Sequence, residues 1–381
     1  MNTENRHPVD AQGKKIIVGG QAVMEGVMMQ GPERVAIAVR RPDNSIVYKL
    51  KPAKNLSKKY PFLKWPVIRG VVNFVMMLYL GMGTLTESTE MSGQMLEEPS
   101  PFEKKLAKAL RMKPDDVVML AAVVIALVLA VGMFFVLPTL LEALVRRYFV
   151  NRLAINALGG AIRIMIFIGY VLAVSRISEI KRVFRYHGAE HKSVHCFESG
   201  GEISVKNAQA FTTLHPRCGT SFLLIVMVIS ILIFMLLGSN SANVFARVLS
   251  RLALLPLVAG VSYEILRALG RADQSPLMRA LKWPGMMLQR LTTAEPDDGM
   301  VEVAQVALRA ALGMEIPEGV INVDSAEYRR MLAGDGERGD VEAESIAEAS
   351  DDAAVDECVP DCDCVAEETQ ASAAPETPAE S

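Results

Sequence analysis

The chain has 381 residues, of which 51% are apolar, and its mean hydropathy is +0.25. The formal net charge of -3 hides a basic N-terminal region, with twelve Lys and Arg against five Asp and Glu in residues 1–66, and an acidic region in residues 335–381. This composition excludes an ordinary soluble enzyme and indicates a membrane protein with soluble parts. No nucleic-acid-binding module is recognisable, so the predicted partner is the lipid bilayer and not a nucleic acid.

The N-terminal region, residues 1–64, is predicted to be cytoplasmic and to contain a β-hairpin. "RVAIAV" (34–39) and "SIVYKLK" (45–51) are β-branched runs on either side of "RPDNS", a sequence typical of turns. The preceding "GGQAVMEGVMMQGP" is rich in glycine, which indicates tight turns or close backbone approach. Glu25 in this segment is a candidate catalytic carboxylate, and an ordinary surface charge is the alternative.

Four apolar segments are predicted to cross the membrane as α-helices. The longest uncharged run has 21 residues, which suits a bilayer core of about 30 Å at about 1.5 Å per residue. Basic residues before the first segment, between the second and third, and after the fourth place both termini on the cytoplasmic side of the cell membrane. The four segments are residues 117–137, 155–174, 221–238 and 252–269.

Polar residues inside the apolar segments need partners or water. Arg69 and Asn73 interrupt a further apolar stretch, and a fifth span there would move a basic region outside, so we predict an interfacial or re-entrant helix. Arg163 is expected either to pair with Glu264 or to extend to the interface. Pro256 predicts a kink in the fourth segment.

The predicted architecture is an α-helical integral membrane protein with about four transmembrane helices, an interfacial helix and a small cytoplasmic α+β portion. "EPDDGMVEVAQVALRAAL" (295–312) predicts a helix capped by Asp297 or Asp298 and packed on the hairpin. The predicted divisions are the N-terminal region 1–64, the interfacial helix 65–85, a cytoplasmic connector 86–116, a helix pair 117–174, a cytoplasmic His-rich loop 175–220, a helix pair 221–269, a cytoplasmic helical segment 270–334 and a disordered acidic tail 335–381.

Three of the five histidines lie four residues apart in "RYHGAEHKSVHCFESGG" (185–201). If residues 187–198 are helical, His187, His191 and His195 share one helix face, and neutral imidazoles at this spacing bind a single divalent metal. His187, Glu190 and His191 also form H-x-x-E-H, in which two histidines bind zinc and the glutamate acts as general base. Gly188 within the pattern argues against a rigid helix, and lipid phosphates or backbone carbonyls are the alternative imidazole partners.

Further ligands are needed to complete a metal site. Glu264 is one candidate, because an ionisable residue inside a membrane span is costly and usually has a partner. His215 and Cys218 in "LHPRCGTSF" are the other candidates. The five cysteines are an odd number without a disulfide framework, so we expect reduced thiols, and we leave "CVPDCDC" (358–364) in the acidic tail out of the site.

Five motifs in order resemble the signatures of the YqhQ-type family of bacterial membrane proteins, over about residues 14–312. They are "GGQAVMEGVMMQGP", "RGVVNF", "RYHGAEHKSVHCFE", "HPRCGTSF" and "LTTAEPDD". The resemblance implies an uncharacterised membrane protein and a metal-dependent enzyme without an established substrate. The family's polar signature falls on Glu25, His187, Glu190, His191, His195, His215, Arg217 and Cys218.

The resulting hypothesis is a metal-dependent enzyme, hydrolytic in its reaction, that works at the cytoplasmic membrane face with a divalent ion such as zinc. His187 and His191 are the expected ligands, Glu190 or Glu25 the base, and the shell is completed by Glu264, His215 or Cys218. The competing hypothesis is a non-enzymatic membrane scaffold or assembly factor with a structural metal or a protein-binding loop. Coordination discriminates between them, because a catalytic site keeps an open position and a structural site is closed by four protein ligands.

Overall fold

A computed structural model describes residues 8, 15–53, 65–93, 114–145, 152–237, 243–271, 276–326 and 328. Residues 1–325 form one compact unit and residues 326–381 a second. The predicted acidic tail and its cysteines lie outside the described residues. The described strands are β1 (Gly19–Val23), β2 (Gly26–Gln30), β3 (Arg34–Arg40), β4 (Ile46–Pro52) and β5 (Val320–Asn322).

The helices follow the N-terminal strands. In chain order they are α1 (Ile68–Met91), α2 (Pro114–Val131), α3 (Leu137–Val145), α4 (Arg152–Val174), α5 (Ser178–Glu198), α6 (Val205–Gln209), α7 (Thr220–Leu237), α8 (Val244–Ala253), α9 (Leu255–Arg271), α10 (Pro276–Thr292) and α11 (Asp298–Leu312). A π-helical turn, Gly132–Val136, joins α2 to α3.

The strands form one sheet in the order β1-β2-β3-β4-β5, antiparallel except for the final β4–β5 pair. The predicted hairpin is confirmed as β3 and β4, with Arg40 opposite Ile46. The glycine-rich segment before it forms a second hairpin, β1 and β2, whose turn is Met24–Glu25. Glycine is required at Gly26, because a Cβ there would lie 2.1 Å from the carbonyl oxygen of Ala38.

The helix predicted after the last span is α11, and it packs on the sheet as expected. Asp297 is its N-cap and accepts from the amide of Met300 at 2.9 Å, while Gly313 ends it with φ 70°. Its apolar residues, Val303 and Ala307 among them, are buried with those of β2 and β3 in the main core. α5 packs against both α11 and β1, so it belongs to the same core.

The described helices contain between two and four candidate membrane spans. Ile68–Met91 and Leu120–Leu144 are each long and apolar enough on their own. Two further candidates are bent pairs, α4 with α5 at 98° and α8 with α9 at 44°. The number of four spans therefore stays a prediction. The interfacial placement of residues 65–85 also stays a prediction, because their helix continues to Met91 and is long enough to cross the membrane. The break between α8 and α9 precedes Pro256, which agrees with the predicted kink.

The segment 175–220, predicted to connect two spans, contains the helices α5 and α6, and the conditional helix 187–198 lies within α5. α5 continues through Gly188. A Cβ at this position would lie only 2.1 Å from the carbonyl oxygen of Ala294, so the close contact requires glycine. Close packing therefore explains a glycine whose helix propensity alone indicates a break.

The charged residues of the apolar helices pair differently from the sequence prediction. Glu264 accepts from Arg69, with Nε 2.6 Å from Oε1 and Nη2 bonded to Oε2. Arg163 instead lies 3.4 Å from the carboxylate of Glu142. The alternative that Arg163 pairs with Glu264 was wrong, because α1 supplies the partner of Glu264.

Candidate metal centre

Three side chains converge between α5 and the turn that precedes α7. The ligand atoms of His187, His191 and Cys218 all lie within 4.8 Å of one another, and His187 Nε2 is 3.2 Å from Cys218 Sγ. His187 and His191 meet because they are one helical turn apart, with ring centroids separated by 4.4 Å. Tetrahedral zinc places its ligand atoms about 3–4 Å apart, so these three atoms need only small side-chain movements to surround a small divalent ion.

Backbone carbonyls fix which ring nitrogen of each histidine is available. His187 Nδ1 lies 2.8 Å from the carbonyl oxygen of Thr292, and His191 Nδ1 contacts that of Thr213. A carbonyl only accepts, so each Nδ1 carries the proton and donates, and each Nε2 keeps its lone pair. His191 Nε2 is buried and has no hydrogen-bond partner among the described residues. A buried lone pair without a hydrogen-bond partner fits the role of a metal ligand.

Cys218 is held by the start of α7. Its sulfur lies 3.3 Å from the amide nitrogen of Thr220, which donates, and 3.0 Å from the hydroxyl of the same residue. The turn itself is closed by the Cys218 amide, which donates to the carbonyl of His215 at 3.3 Å. Two imidazole nitrogens and one sulfur are a donor set that suits zinc and other borderline divalent metals.

Glu190 is the carboxylate beside this group. Its Oε2 lies 3.5 Å from His191 Nε2 and 4.0 Å from His187 Nε2. β1 approaches it so closely that a Cβ on Gly20 would be 2.5 Å from Glu190 Cγ. Burial raises the pKa of Glu190 to about 7, and the neighbouring His187 lowers it by a smaller amount. The carboxylate is thus placed either to accept a proton from a bound molecule or to act as a further ligand.

Burial also keeps the neighbouring imidazoles neutral. It lowers the pKa of His191 to about 2 and that of His215 to about 4. At neutral pH both rings are therefore uncharged, which is the state in which imidazole binds a metal.

The two outer candidate histidines have other contacts. His195 donates from Nε2 to the carbonyl of Leu214 at 2.9 Å, and its ring is stacked on Phe211. His215 accepts at Nδ1 from the amide of Arg217 at 3.3 Å, and its Nε2 lies 3.5 Å from Glu198. The ring centroids of His195 and His215 are 4.5 Å apart, and that of His215 is 5.7 Å from that of His191.

Two other candidates are placed elsewhere. Glu264 is bonded to Arg69, so its assignment as a ligand is corrected to an interhelical ion pair. Glu25, with φ 50°, is bonded to Arg182 and lies 3.4 Å from the hydroxyl of Tyr186. It lines a cavity of about 500 Å³ whose described lining includes none of the three grouped ligands.

The sequence did not reveal Thr213 and Thr292, whose carbonyls orient the two histidines. Backbone acceptors carry no side-chain signal, so only the tertiary structure identifies them. The sequence pointed to Thr292 only by its place in "LTTAEPDD", a family motif to which no role had been assigned.

These features define a membrane-associated helical protein with a buried His-His-Cys group. The chain belongs to the family described as "Protein of unknown function (DUF1385)", whose model matches residues 65–314. It is similar to the "Uncharacterized protein YqhQ" of Bacillus subtilis (strain 168), with 34% identity over 303 residues, 78% of this chain and 92% of that protein. The resemblance found in the sequence is thereby confirmed. No solved structure matches the chain.

Proposed function

We propose that the chain is a metal-dependent enzyme of the cytoplasmic membrane face, hydrolytic in its reaction, with His187, His191 and Cys218 as ligands. The observation that carries the proposal is the convergence of these three ligand atoms within 4.8 Å, with Glu190 alongside. Three protein ligands and a neighbouring carboxylate are the pattern of catalytic zinc sites, in which the fourth position is open.

The metal, the two histidines and Glu190 have different roles in the proposed reaction. A bound divalent metal supplies Lewis acidity and makes water a stronger nucleophile near neutral pH. His187 and His191 would hold the metal through Nε2 while their Nδ1–H groups stay bonded to Thr292 and Thr213. Glu190 would accept, at the Oε2 that faces both rings, the proton released by the attacking water.

A structural metal site in a scaffold protein is the second candidate. It is favoured by the 3.5 and 4.0 Å separations between Glu190 Oε2 and the two imidazoles, since a small movement would make Glu190 the fourth ligand. A site closed in this way by four protein groups stabilises the fold and leaves no place for a substrate.

The first experiment is the metal content of the purified full-length protein, with the three tail cysteines replaced by serine. We expect about one equivalent of metal, lost in His187→Ala/His191→Ala. His195→Ala is the matched control, because this histidine lies on the same helix but bonds Leu214, and it should keep the metal. Absence of metal in the parent after reconstitution would refute the proposal.

The second experiment separates the two candidates. Cobalt(II) is loaded in place of the native ion, and its visible spectrum is followed while azide is added. An enzyme site with an open position changes its spectrum on azide binding, whereas a site closed by Glu190 does not. In the enzyme case Glu190→Gln keeps the cobalt and, once a substrate is found, lowers turnover by about 10²–10⁴-fold.

A further inference from the structure

Gln289, near the end of α10, is fully buried, and its side-chain amide bonds both main-chain groups of a distant residue. Oε1 accepts from the amide nitrogen of His215 at 2.8 Å, and Nε2 donates to the carbonyl oxygen of His215 at 2.9 Å. A glutamine amide carries an acceptor and a donor, so it satisfies the two buried groups together. The proposed reaction gives this residue no direct role.

The bonded residue begins the turn that carries Cys218. The carbonyl oxygen of His215 accepts a second hydrogen bond, from the amide of Cys218 at 3.3 Å, which its two lone pairs allow. At the other end of the turn Thr220 bonds the sulfur. The sulfur held in this way lies 3.2 Å from His187 Nε2.

The same end of α10 also orients a second ligand. Three residues after Gln289, the carbonyl oxygen of Thr292 lies 2.8 Å from His187 Nδ1. Leu288, beside Gln289, packs in an apolar cluster with Phe167 of α4, which fixes this end of α10. One helix end therefore contacts both segments that supply the ligands, α5 and the turn before α7.

On the basis of the proposed metal centre, we propose that Gln289 is a positioning residue, which holds Cys218 where it binds the ion together with His187. Groups that bond the ligand-bearing segments set the geometry and the affinity of a metal site. Without the amide of Gln289 the main chain of His215 loses two partners, and the turn can shift. His191 should keep its orientation, because its Nδ1 is bonded to the carbonyl of Thr213.

The test compares Gln289→Met with Gln305→Met in the full-length protein whose three tail cysteines are replaced by serine. Methionine keeps the length of glutamine but has no amide. Gln305 is the matched control, since it is also buried, at 6% exposed, but lies on α11. Its Nε2 has no hydrogen-bond partner among the residues that the structure describes.

The first readout is the spectrum of the cobalt(II) protein, in which a charge-transfer band in the near ultraviolet reports a thiolate ligand. We expect Gln289→Met to weaken this band and to lower the affinity for cobalt about 10–100-fold. Gln305→Met should keep the band and the affinity of the parent. A parent-like band and affinity in Gln289→Met would overturn the proposal.

The second readout needs no metal. Cys218 is 7% exposed, so the rate at which iodoacetamide modifies it in metal-free protein reports how often the turn opens, and peptide masses distinguish it from Cys196. We expect modification to be roughly tenfold faster in Gln289→Met, the change for the loss of one net hydrogen bond. Equal rates in the parent and this variant would show that Gln289 does not hold the turn.

The two readouts separate this proposal from the metal centre itself. A parent that binds no cobalt refutes the metal centre, whereas the rate at Cys218 still shows whether Gln289 holds the turn. Gln289→Asn replaces the methionine variant if that variant does not fold, because its shorter amide cannot reach both groups of His215.

Discussion

Gly20 and Gly188 each lie where the main chain closely approaches a neighbour. Gly188 lets α5 pass the Ala294 carbonyl, and Gly20 lets β1 pass the side chain of Glu190. The two neighbours differ in kind, since one is a fixed backbone oxygen and the other is a side chain, met at its Cγ and its carboxylate. The same substitution to alanine is therefore expected to have different effects at the two positions.

Gly188→Ala should destabilise the fold by about 1–3 kcal/mol or more, because the backbone of Ala294 must move. Gly83→Ala is the control, since a Cβ at this helical glycine meets no atom within 4 Å. It should change stability by no more than about 1 kcal/mol. Thermal melting of metal-free protein measures both, and equal melting of the two variants would contradict the assigned contact.

Gly20→Ala should preserve the fold and the metal content but displace the Glu190 carboxylate. The new Cβ would lie 2.7 Å from Glu190 Oε1, and the carboxylate gives way at low cost. We expect the azide-dependent spectrum of the cobalt protein to change. Gly19→Ala is the matched control, because a Cβ there meets nothing within 4 Å and should leave the spectrum unaltered.

At the scale of elements, Arg69 and Glu264 connect α1 to α9. The pair forms two hydrogen bonds between helices that also contact through Gly70 and Gly260, where Cβ atoms would meet the opposite backbone at 2.7 Å. Small residues allow the helices to approach and the ion pair sets their register.

We expect Arg69→Glu and Glu264→Arg each to lower the melting temperature, because each places like charges opposite one another. The double exchange restores an opposite pair and should recover part of the loss. Melting in one detergent across the four proteins measures the coupling. Additive losses in the double variant would show that the two side chains do not depend on each other.

The sequence predicted those elements whose signals are local. The β3–β4 hairpin follows from its turn residues, and α11 follows from its Asp297 cap and its apolar period. The path of α5 was not predictable to the same degree, because Gly188 is explained only by a residue more than one hundred positions away. The pairing of Glu264 likewise depends on the contact of α9 with α1, which no local pattern records.

In the candidate site, too, the sequence predicts the features that depend on residue type and spacing but not those that depend on tertiary contacts. The sequence placed His187, His191 and Cys218 among the ligands because their residue types and spacing are those of metal sites. It favoured His187 and His191 as ligands but could not rank Cys218 above His215 and Glu264, since that choice depends on which neighbouring groups bond each side chain.

At the scale of the molecule, we expect the sheet and α11 to lie on one side of the membrane, the cytoplasmic side. Ser45→Cys in the β3–β4 turn and Glu318→Cys before β5 place thiols at positions linked by the β4–β5 pair. Impermeant maleimide should label both only after the cells are permeabilised. The background is the parent without its tail cysteines, since Cys196 and Cys218 are buried. Labelling of either thiol in intact cells would show that the sheet lies on the outer side of the membrane, contrary to the prediction.

The bond from His187 to the carbonyl of Thr292 has a consequence for biosynthesis. The two residues are 105 positions apart, so His187 is synthesised long before the acceptor that orients it. Translation at about 5–20 residues per second separates the two events by roughly 5–20 s. A nascent chain therefore exposes its histidines while the ring orientation is still undetermined, and a metal acquired at that stage would bind without the native geometry. Loading of the proposed metal centre with its native geometry therefore requires the completed chain, after the segment that follows α9 has packed against α5.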